Sequence, residues 1–517
     1  MAATAASLGI PSTFNAAAYF VDRHVGAGRG GRMAIECLHE RLTYADVQRG
    51  VDRFARALRS ELGVQRGDRV LLLLVDGPAF VFGFFGAMKI GAVPIPLSTL
   101  WTAADYAYVV RDSGAAVMIV SPDLRPRMDQ IPEDQRGGLR IVSATDDLWA
   151  RVSPAPFDAE PTGHDAPAFW LYSSGSTGAP KGCVHLHHDM AVTAELFGKG
   201  ILGIGPDDRC FSVPKLFFAY GLGNALSFPF AVGATAILWP GAPTPEHVFA
   251  TIERHRPTLF YFVPTGYARM LAVPGSFDLS SIRLASSAGE SLPVAVYDRF
   301  KARFGIDILD GIGSTEALHT FIANRPGAIR PGSSGQLVDG YEVRLIDDDG
   351  RAVAAGETGN LWIKGDSICA EYWNQPEKTK ATIDGEWIRT GDKYSVDADG
   401  YYWYGGRSDD MLKVGGLWVS PAEVENTLVA HPSVLECGVI GRDDRDGLVK
   451  PMAFVVLRDG ERGTPELAAS LQQFVRERLA EYKRPRWVSF ETELPRTATG
   501  KLQRFRLREL ARERPTT

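Results

Sequence analysis

Residues Leu171–Lys181 read LYSSGSTGAPK, and the hydroxyls, glycines and single lysine of this run decide how the rest of the chain is read. Ser173, Ser174, Ser176 and Thr177 supply hydroxyl donors, and Lys181 adds a positive charge. Gly175, Gly178 and the following Gly182 let the backbone turn sharply and expose its N–H groups, an arrangement suited to a polyphosphate. The loop follows an apolar run, Ala168–Tyr172, that reads as a buried strand, and it precedes a segment near His187 that reads as a helix. A loop so placed is expected at the carboxyl end of a strand in an α/β sheet, where ligands bind. The plain alternative is a Ser/Gly-rich surface turn. A Walker loop is ruled out, because Lys181 is followed by Gly182 and not by Ser or Thr.

On either side of this loop, short apolar runs alternate with helical patterns. Val70–Val75, Ala92–Pro96, Ala115–Val120, Ala234–Trp239 and Thr258–Val263 read as strands, Ala79–Ile90 as a helix, and Thr251–Pro257 as a helix end. Continuous Val/Ile/Leu strands separated by helices predict parallel sheets covered on both faces. Beyond about residue 340 the texture changes to YEVRLIDDDG, GNLWIKG and DGYYWYGG, alternating strands joined by Asp/Gly turns. These predict a small antiparallel module. Arg407–Gly416 is polar and glycine-containing, a hinge candidate. The remainder predicts a small α/β unit: helices at Pro421–Leu428 and Pro465–Leu479, strands at Glu436–Ile440 and Met452–Leu457.

Bulk properties agree with a globular chain of more than one unit. A length of 517 residues exceeds what one hydrophobic core organises. The net charge of -6 gives no overall basic surface for nucleic acid or an anionic membrane, so neither is expected as a partner. The five cysteines, Cys37, Cys183, Cys210, Cys369 and Cys437, show no CxxC spacing, which argues against a zinc knuckle or disulfide framework and for a reducing, cytoplasmic setting. No basic leader precedes a long apolar stretch, so no signal peptide is expected. The most apolar region, Val70–Leu97, is broken by Asp76, Gly77, Pro78 and Lys89, a pattern for a buried strand–helix–strand unit and not for a membrane span. Gly198–Gly203 matches GxGxxG but follows a helical stretch, so it is read as chance. His185, His187 and His188 lack a carboxylate or cysteine at ligand spacing and are expected to pack and hydrogen-bond at a helix start.

Four further motifs follow the opening loop in order: GIGSTE (Gly311–Glu316), RTGD (Arg389–Asp392), GRSDDMLKVGG (Gly406–Gly416) and PRTATGK (Pro495–Lys501). Together with YSSGSTGAPKG they resemble the adenylate-forming superfamily of acyl-CoA synthetases, peptide-synthetase adenylation domains and luciferases. KLFFAYGLGN (Lys215–Asn224), STEALHTFIAN (Ser314–Asn324) and GGLWVSPAEVE (Gly415–Glu425) look like the corresponding stretches of benzoate-CoA ligases. The resemblance implies an α/β fold: a large N-terminal domain, residues 1–408, of αβαβα sheets with a β-barrel-like module, then a small mobile α+β domain, residues 409–517. It implies a two-step reaction in which a carboxylate attacks the α-phosphate of ATP, pyrophosphate leaves, and the thiol of coenzyme A then displaces AMP. Positioning and charge compensation are the tasks left to the protein.

By resemblance, Lys501 bridges the substrate carboxylate and the α-phosphate, and Glu316, with Thr177, attends Mg2+, which takes few protein carboxylates beside phosphate oxygens. ATP or AMP would be held by Ser173, Ser174, Gly175, Ser176, Thr177, Gly178, Lys181, Gly289, Glu290, Asp310, Gly311, Ile312, Ser314, Thr315, Asp392 and Arg407. Asp392 would receive the ribose hydroxyls, and Arg407 would contact ribose or phosphate. Asp409 matches the hinge position, and Lys413, Gly415, Gly416 and Trp418 the tunnel for coenzyme A. Without the resemblance, Glu316 reads as an acid beside a Ser/Thr cap, Asp392 as a turn residue, Arg407 as a surface ion-pair partner and Lys501 as solvent-exposed.

The acid pocket would draw on Ala219, Tyr220, Gly221, Ala288, Gly289, Ile312, Gly313, His319 and Lys501. Relatives that activate amino acids need an acidic group near the substrate ammonium, but FFAYG (Phe217–Gly221) carries no charge, and an unpaired buried ammonium is costly. A flat aromatic ring fits this compact lining better than a long acyl chain. Benzoate is the leading expectation, with aminobenzoates and hydroxybenzoates as alternatives. An enzyme loading an aryl group onto a carrier protein is a rival; the sequence shows no carrier domain after Lys501, which leaves transfer in trans. A non-catalytic nucleotide- or acyl-binding protein is the remote alternative. A monomer or homodimer is expected.

Overall fold

The computed structural model describes residues 2–153, 155–173, 180–408, 410–414, 417–445, 447–496 and 502–513, with Trp418 described by its backbone only. Ser174, Gly175, Ser176, Thr177, Gly178, Asp409, Gly415, Gly416 and Lys501 therefore lie outside the described residues.

Two parallel sheets carry the large N-terminal part, as the continuous apolar runs predict. The smaller has four strands in the order Val93–Pro96, Arg69–Leu73, Val117–Val120, Arg140–Ser143, all parallel. The larger has nine strands. Its interior runs parallel through Ile308–Gly313, Leu284–Ser287, Leu259–Phe262, Arg209–Ser212, Thr235–Leu238 and Met33–Cys37. Antiparallel strands close both edges, Thr320–Ala323 with Gln336–Leu337 at one end and Glu40–Thr43 at the other.

The helix Pro78–Lys89 (PAFVFGFFGAMK) is apolar all round and buried on nearly every side, as befits a helix covered by structure in all directions. One apolar cluster runs from Val70 and Leu72 of the smaller sheet, through Phe80, Phe84 and Phe85, to Ile35 and Ala236 of the larger. The neighbouring helix Tyr44–Ser60 approaches so closely that a Cβ on Gly86 would lie 2.9 Å from Phe54 Cβ and 3.1 Å from the Ala55 nitrogen. Lys89, which breaks the apolar run in sequence, is 1% exposed and donates to Asp22 at 2.8 Å and to Asp52. Burial of this charge is tolerable because it is paired. No helix among the described residues is long and apolar enough to cross a membrane.

The opening loop sits differently from its sequence expectation. Ala168–Tyr172 is a strand (Pro167–Ser173), but the loop leads into a second strand, Lys181–Leu186, and not into a helix. The two pair antiparallel, with Ser173 opposite Lys181 and Leu171 opposite Cys183, and Glu371–Tyr372 adds a third strand. The loop thus closes a hairpin in a separate three-stranded antiparallel sheet, and the next helix begins only at Asp189. Cys183, Val184 and His185 are all buried, so KGCVHL gains more as a covered strand than as the first turn of a helix.

The antiparallel module forms as predicted, from Glu342–Ile346, Gly359–Lys364, Ile383–Asp384, Trp387–Val396 and Tyr402–Arg407. Burial alternates along Gly359–Lys364, with Leu361 and Ile363 facing the core. After it come a short hairpin, Leu412–Val414 with Leu417–Val419, and a three-stranded sheet of Val434–Asp443, Val449–Leu457 and Trp487–Glu491. Helices Pro421–Val429, Pro465–Arg476 and Arg504–Arg512 accompany this sheet. Gly198–Gly203 continues the helical segment Ala194–Lys199, so it opens no phosphate loop.

Candidate active site

The carboxyl ends of two adjacent parallel strands supply one wall. Ser287 at the end of Leu284–Ser287 lies opposite Asp310, so Ala288, Gly289 and Glu290 emerge beside Gly311, Ile312 and Gly313. Gly289 has φ of +93°, a left-handed conformation that a side chain would strain. Gly311 and Gly313 allow a close antiparallel return by Thr320–Ala323. A Cβ there would lie 2.8 Å from the Ile322 carbonyl oxygen and 2.5 Å from that of His319, respectively. The rule that ligands sit at carboxyl ends of parallel strands therefore applies to these strands, and not to the strand before the opening loop. Asp310 is buried, and burial pushes its carboxyl up to about 8 against the Leu292 N–H that it accepts at 3.2 Å.

The tight return holds Ser314, Thr315 and Glu316 in a turn, where the Ala317 N–H donates to Ser314 Oγ at 3.1 Å; no helix follows. Three elements fix this turn from outside. His185 reaches the Thr315 carbonyl at 2.8 Å through Nε2 while Nδ1 meets Asp189 at 2.8 Å, the Cys369 N–H donates to the Glu316 carbonyl at 2.7 Å, and Tyr372 Oη donates to Glu316 Oε1 at 2.8 Å. Lys181 places its ammonium 4.6 Å from the centre of the Tyr372 ring. Lys181 of the hairpin, Tyr372 and Glu316 thus meet in one place, with Ser173 at the hairpin mouth opposite Lys181. Tyr372 went unassigned by sequence reasoning, since no motif contains it.

The module rim contributes Asp392 and Arg407, which face each other across paired strands. Arg407 donates to the Thr390 carbonyl at 3.0 Å and to Asp392 Oδ1 at 3.3 Å. Gly391 is required here, because φ is +75° and a Cβ would lie 2.8 Å from Arg407 Nη2. Lys413 lies exposed on the strand Leu412–Val414.

The ring pocket gathers around His319, which is 2% exposed. Its imidazole packs against Phe228 at 4.5 Å, Phe197 at 5.1 Å and Tyr220 at 5.4 Å between ring centres. Burial drives its pKa down to about 3, so the ring is neutral near pH 7. Tyr220 Oη donates to Ser286 Oγ at 3.2 Å, and Ala219 and Gly221 begin the same helical turn. Phe217 is core, at 4% exposure. Asn224, another residue sequence reasoning left unassigned, is fully buried, and neither its amide nor the His319 ring nitrogens make a hydrogen bond of ordinary geometry among the described residues, with Tyr220 the polar group that acts on both. Its signal was present: it is the only strongly polar side chain in FFAYGLGNAL.

Glu316 fits Mg2+ in the manner of a single carboxylate completing a shell of phosphate oxygens and water, and not as part of a protein cage. Elsewhere, His164, Asp165 and His188 approach closely enough to suggest a cation site. Both His188 nitrogens are already engaged, Nδ1 at 2.9 Å from the His164 carbonyl and Nε2 at 2.9 Å from that of Asp366. Burial opposes charge on this ring, but Asp189, the His164 carbonyl, Asp366 and Asp165 outweigh it and raise the pKa. His188 reads as a charged structural tie with no lone pair for a metal. His187 likewise accepts the Ala16 N–H at 3.1 Å, so the histidines pack and hydrogen-bond, but His185 does so from the strand Lys181–Leu186 and against the Asp189 carboxylate, not at a helix start.

Residues 22–373 match the family described as AMP-binding enzyme, and residues 423–501 match the AMP-binding enzyme C-terminal domain. The chain is 50% identical to a benzoate–CoA ligase of Thauera aromatica over 98% of each chain. Among solved structures it is similar to an anthranilate CoA ligase in complex with anthranoyl-AMP (TM-score 0.94, 44% identity, 98% of each chain covered). It is also similar to a benzoate CoA ligase from Burkholderia xenovorans LB400 (TM-score 0.90, 47% identity, 96% of this chain and 100% of the other).

Proposed function

The chain belongs to the AMP-binding enzyme family, and on that premise we propose that it is an AMP-forming acid–thiol ligase that converts benzoate, ATP and coenzyme A to benzoyl-CoA, AMP and pyrophosphate. The observation that carries the choice of acid is the covered, uncharged cluster of Ala219, Tyr220 and Phe228 around neutral His319. A planar aromatic acid can be received against such a lining without bringing in a charge that needs a partner.

In the first step a benzoate oxygen attacks the α-phosphorus and the bond to the bridging oxygen of pyrophosphate breaks. Lys501, outside the described residues, is assigned by resemblance to offset charge between the carboxylate and the α-phosphate. Glu316, oriented by Tyr372, would hold Mg2+, which when bound would supply charge compensation for the phosphates, while Lys181 and Arg407 add positive charge at the hairpin and the module rim. Asp392 is assigned to the ribose. In the second step the thiol sulfur attacks the acyl carbonyl and AMP leaves. Lys413, Gly415, Gly416 and Trp418 are assigned by resemblance to the approach of coenzyme A, and Asp409 to the hinge between residues 1–408 and 409–517. The reaction is placed in the cytoplasm, by a monomer or homodimer.

A ring-substituted benzoate is the second reading, favoured by the amide of Asn224 and the ring nitrogens of His319, which make no hydrogen bond of ordinary geometry and which an amino or hydroxyl substituent could satisfy. A pyrophosphate-release screen tests both, with benzoate, amino- and hydroxybenzoates, cinnamate and medium-chain acids, each with and without coenzyme A. Benzoate is expected to give the highest kcat/KM, with thioester forming only when coenzyme A is present. Preference for a medium-chain acid would overturn the pocket reading, and indifference to coenzyme A would favour a carrier protein as acceptor.

A further inference from the structure

The strongest unassigned feature is an ion cluster joining the small C-terminal part to the wall of the adenylation site. Arg496 donates through Nη1 to Glu290 at 2.8 Å and through Nη2 to Glu436 at 2.6 Å. Glu290 follows Gly289 at the carboxyl end of Leu284–Ser287, whereas Glu436 lies on Val434–Asp443 of the small sheet. All three side chains are mostly covered, at 17%, 24% and 16% exposure for Arg496, Glu290 and Glu436. A planar guanidinium can serve two carboxylates at once from a fixed fork, which a lysine ammonium does less rigidly.

Arg496 also has a special place along the chain. It forms an antiparallel bridge with Leu502, and the Gln503 N–H donates to the Pro495 carbonyl at 2.9 Å. These contacts bring together Arg496 and Leu502, the described residues that flank the segment containing Lys501. Leu502 rests on the small sheet, since a Cβ on Gly438 would lie 2.7 Å from its side chain. One arm of the arginine therefore anchors this flank within its own unit, and the other reaches the site wall.

We propose that Arg496 is a positioning residue for acyl-adenylate formation, docking the flank of the Lys501 segment onto Glu290. The proposal rests on the reading that Lys501 acts in the first step. The Arg496–Glu436 pair keeps the guanidinium aimed, and the Arg496–Glu290 pair breaks when the two units separate. Transfer to coenzyme A starts from an adenylate already made and does not need this dock.

The test measures pyrophosphate release from benzoate and ATP, and separately thioester formation from supplied benzoyl-AMP and coenzyme A, for the full chain carrying Glu290→Gln, Arg496→Gln, both together, and Arg496→Lys. Glu290→Gln leaves the small unit's own Arg496–Glu436 pair in place, which guards against a folding artefact. Each single Gln variant is expected to lower kcat for pyrophosphate release about tenfold, less than for a fully buried pair because these side chains are only partly covered. For the two Arg496 variants, KM for ATP and benzoate should stay within about threefold and thioester formation within about twofold; Glu290, itself assigned to the nucleotide site, is read only through pyrophosphate release and the double variant. The double variant should be no worse than either single, because both remove the same contact, and Arg496→Lys should recover part of the loss. Multiplying losses in the double variant, or an equal loss in both half-reactions for the Arg496 variants, would overturn the proposal. Wild-type enzyme that releases no pyrophosphate with any aromatic acid would instead sink the function on which it rests.

Discussion

Substituting Gly223 by alanine gives a sharp test of whether His319 walls the ring pocket. Gly223 has φ of −63° and ψ of −59°, a helical conformation that alanine adopts without strain. On backbone grounds alone Gly→Ala at such a position stabilises a fold by roughly 0.4–1 kcal/mol. Space dictates the opposite. A Cβ would lie 2.3 Å from His319 Cδ2, 2.7 Å from its Nε2 and 3.1 Å from Phe228 Cζ. Restoring ordinary contact requires the imidazole to retreat by about 1 Å. Phe228, Phe197 and Tyr220 stand against the ring at 4.5, 5.1 and 5.4 Å between centres, so any retreat must displace one of these neighbours of the proposed acid site.

Overpacking of this kind costs about 1–3 kcal/mol. If that cost falls on the pocket, kcat/KM for benzoate drops roughly 5- to 100-fold. The assay is steady-state pyrophosphate release across benzoate concentrations, beside a thermal unfolding curve. Gly221→Ala is the contrast, because its Cβ would lie 2.1 Å from the Lys215 carbonyl oxygen, a backbone atom that cannot swing aside, so that variant should lose the fold itself. A Gly223→Ala enzyme with unchanged kcat/KM and a raised melting temperature would refute the reasoning, since only the backbone gain would then be visible.

Two other outcomes rest on the same geometry. Tyr372→Phe removes the hydroxyl that donates to Glu316, a charge-assisted bond worth about 1.5–3 kcal/mol, and should slow pyrophosphate release at least about tenfold while leaving thioester formation from benzoyl-AMP unchanged. The contributions of two groups to stability should also fall with rising pH. His188 has a raised pKa, so its contribution is fully present below the unfolded value of about 6.5 and is lost as pH climbs through the folded value. Asp310 acts in the same sense: with a folded value of about 8 it holds a proton that the unfolded chain releases near 3.8, so its contribution declines between those limits. Urea midpoints measured from pH 5 to pH 9 for wild type, His188→Gln and Asp310→Asn should show shallower slopes in the variants; parallel curves would count against both assignments.

How much of this was legible in sequence depended on the range of the cause. Val70–Val75 and Thr258–Val263 declared themselves because strands covered on both faces need an unbroken apolar run. Leu361 and Ile363 declared the antiparallel module because one face alone is covered and the pattern alternates. KGCVHL did not declare itself, since a six-residue segment running into two further histidines fits a strand or a helix start equally, and its partner strand decides the matter. The carboxyl-end rule holds, but for Leu284–Ser287 and Ile308–Gly313 in place of the strand before the opening loop. Tyr372 beneath Lys181, and Arg496 beside Glu290, depend on residues about 190 and 206 positions apart, which no local spacing encodes.

Turning the loop of Leu171–Lys181 into a hairpin changes the physics expected of it. A strand-to-helix loop can offer an anion the positive end of a helix as well as its N–H groups. A hairpin that leads into Lys181–Leu186 has no helix start directly behind it, so the field of a macrodipole is missing there. On the proposed reading, charge on a polyphosphate would then be balanced by discrete cations: Lys181 at the hairpin base, Arg407 on the module rim, Mg2+ held by Glu316, and Lys501 by resemblance. These groups sit on separate elements, so none of them neutralises the phosphates unless the others are in register. The architecture therefore couples phosphate binding to assembly of the whole site, which is why a dock such as Arg496 on Glu290 can control the first step without touching a reacting atom.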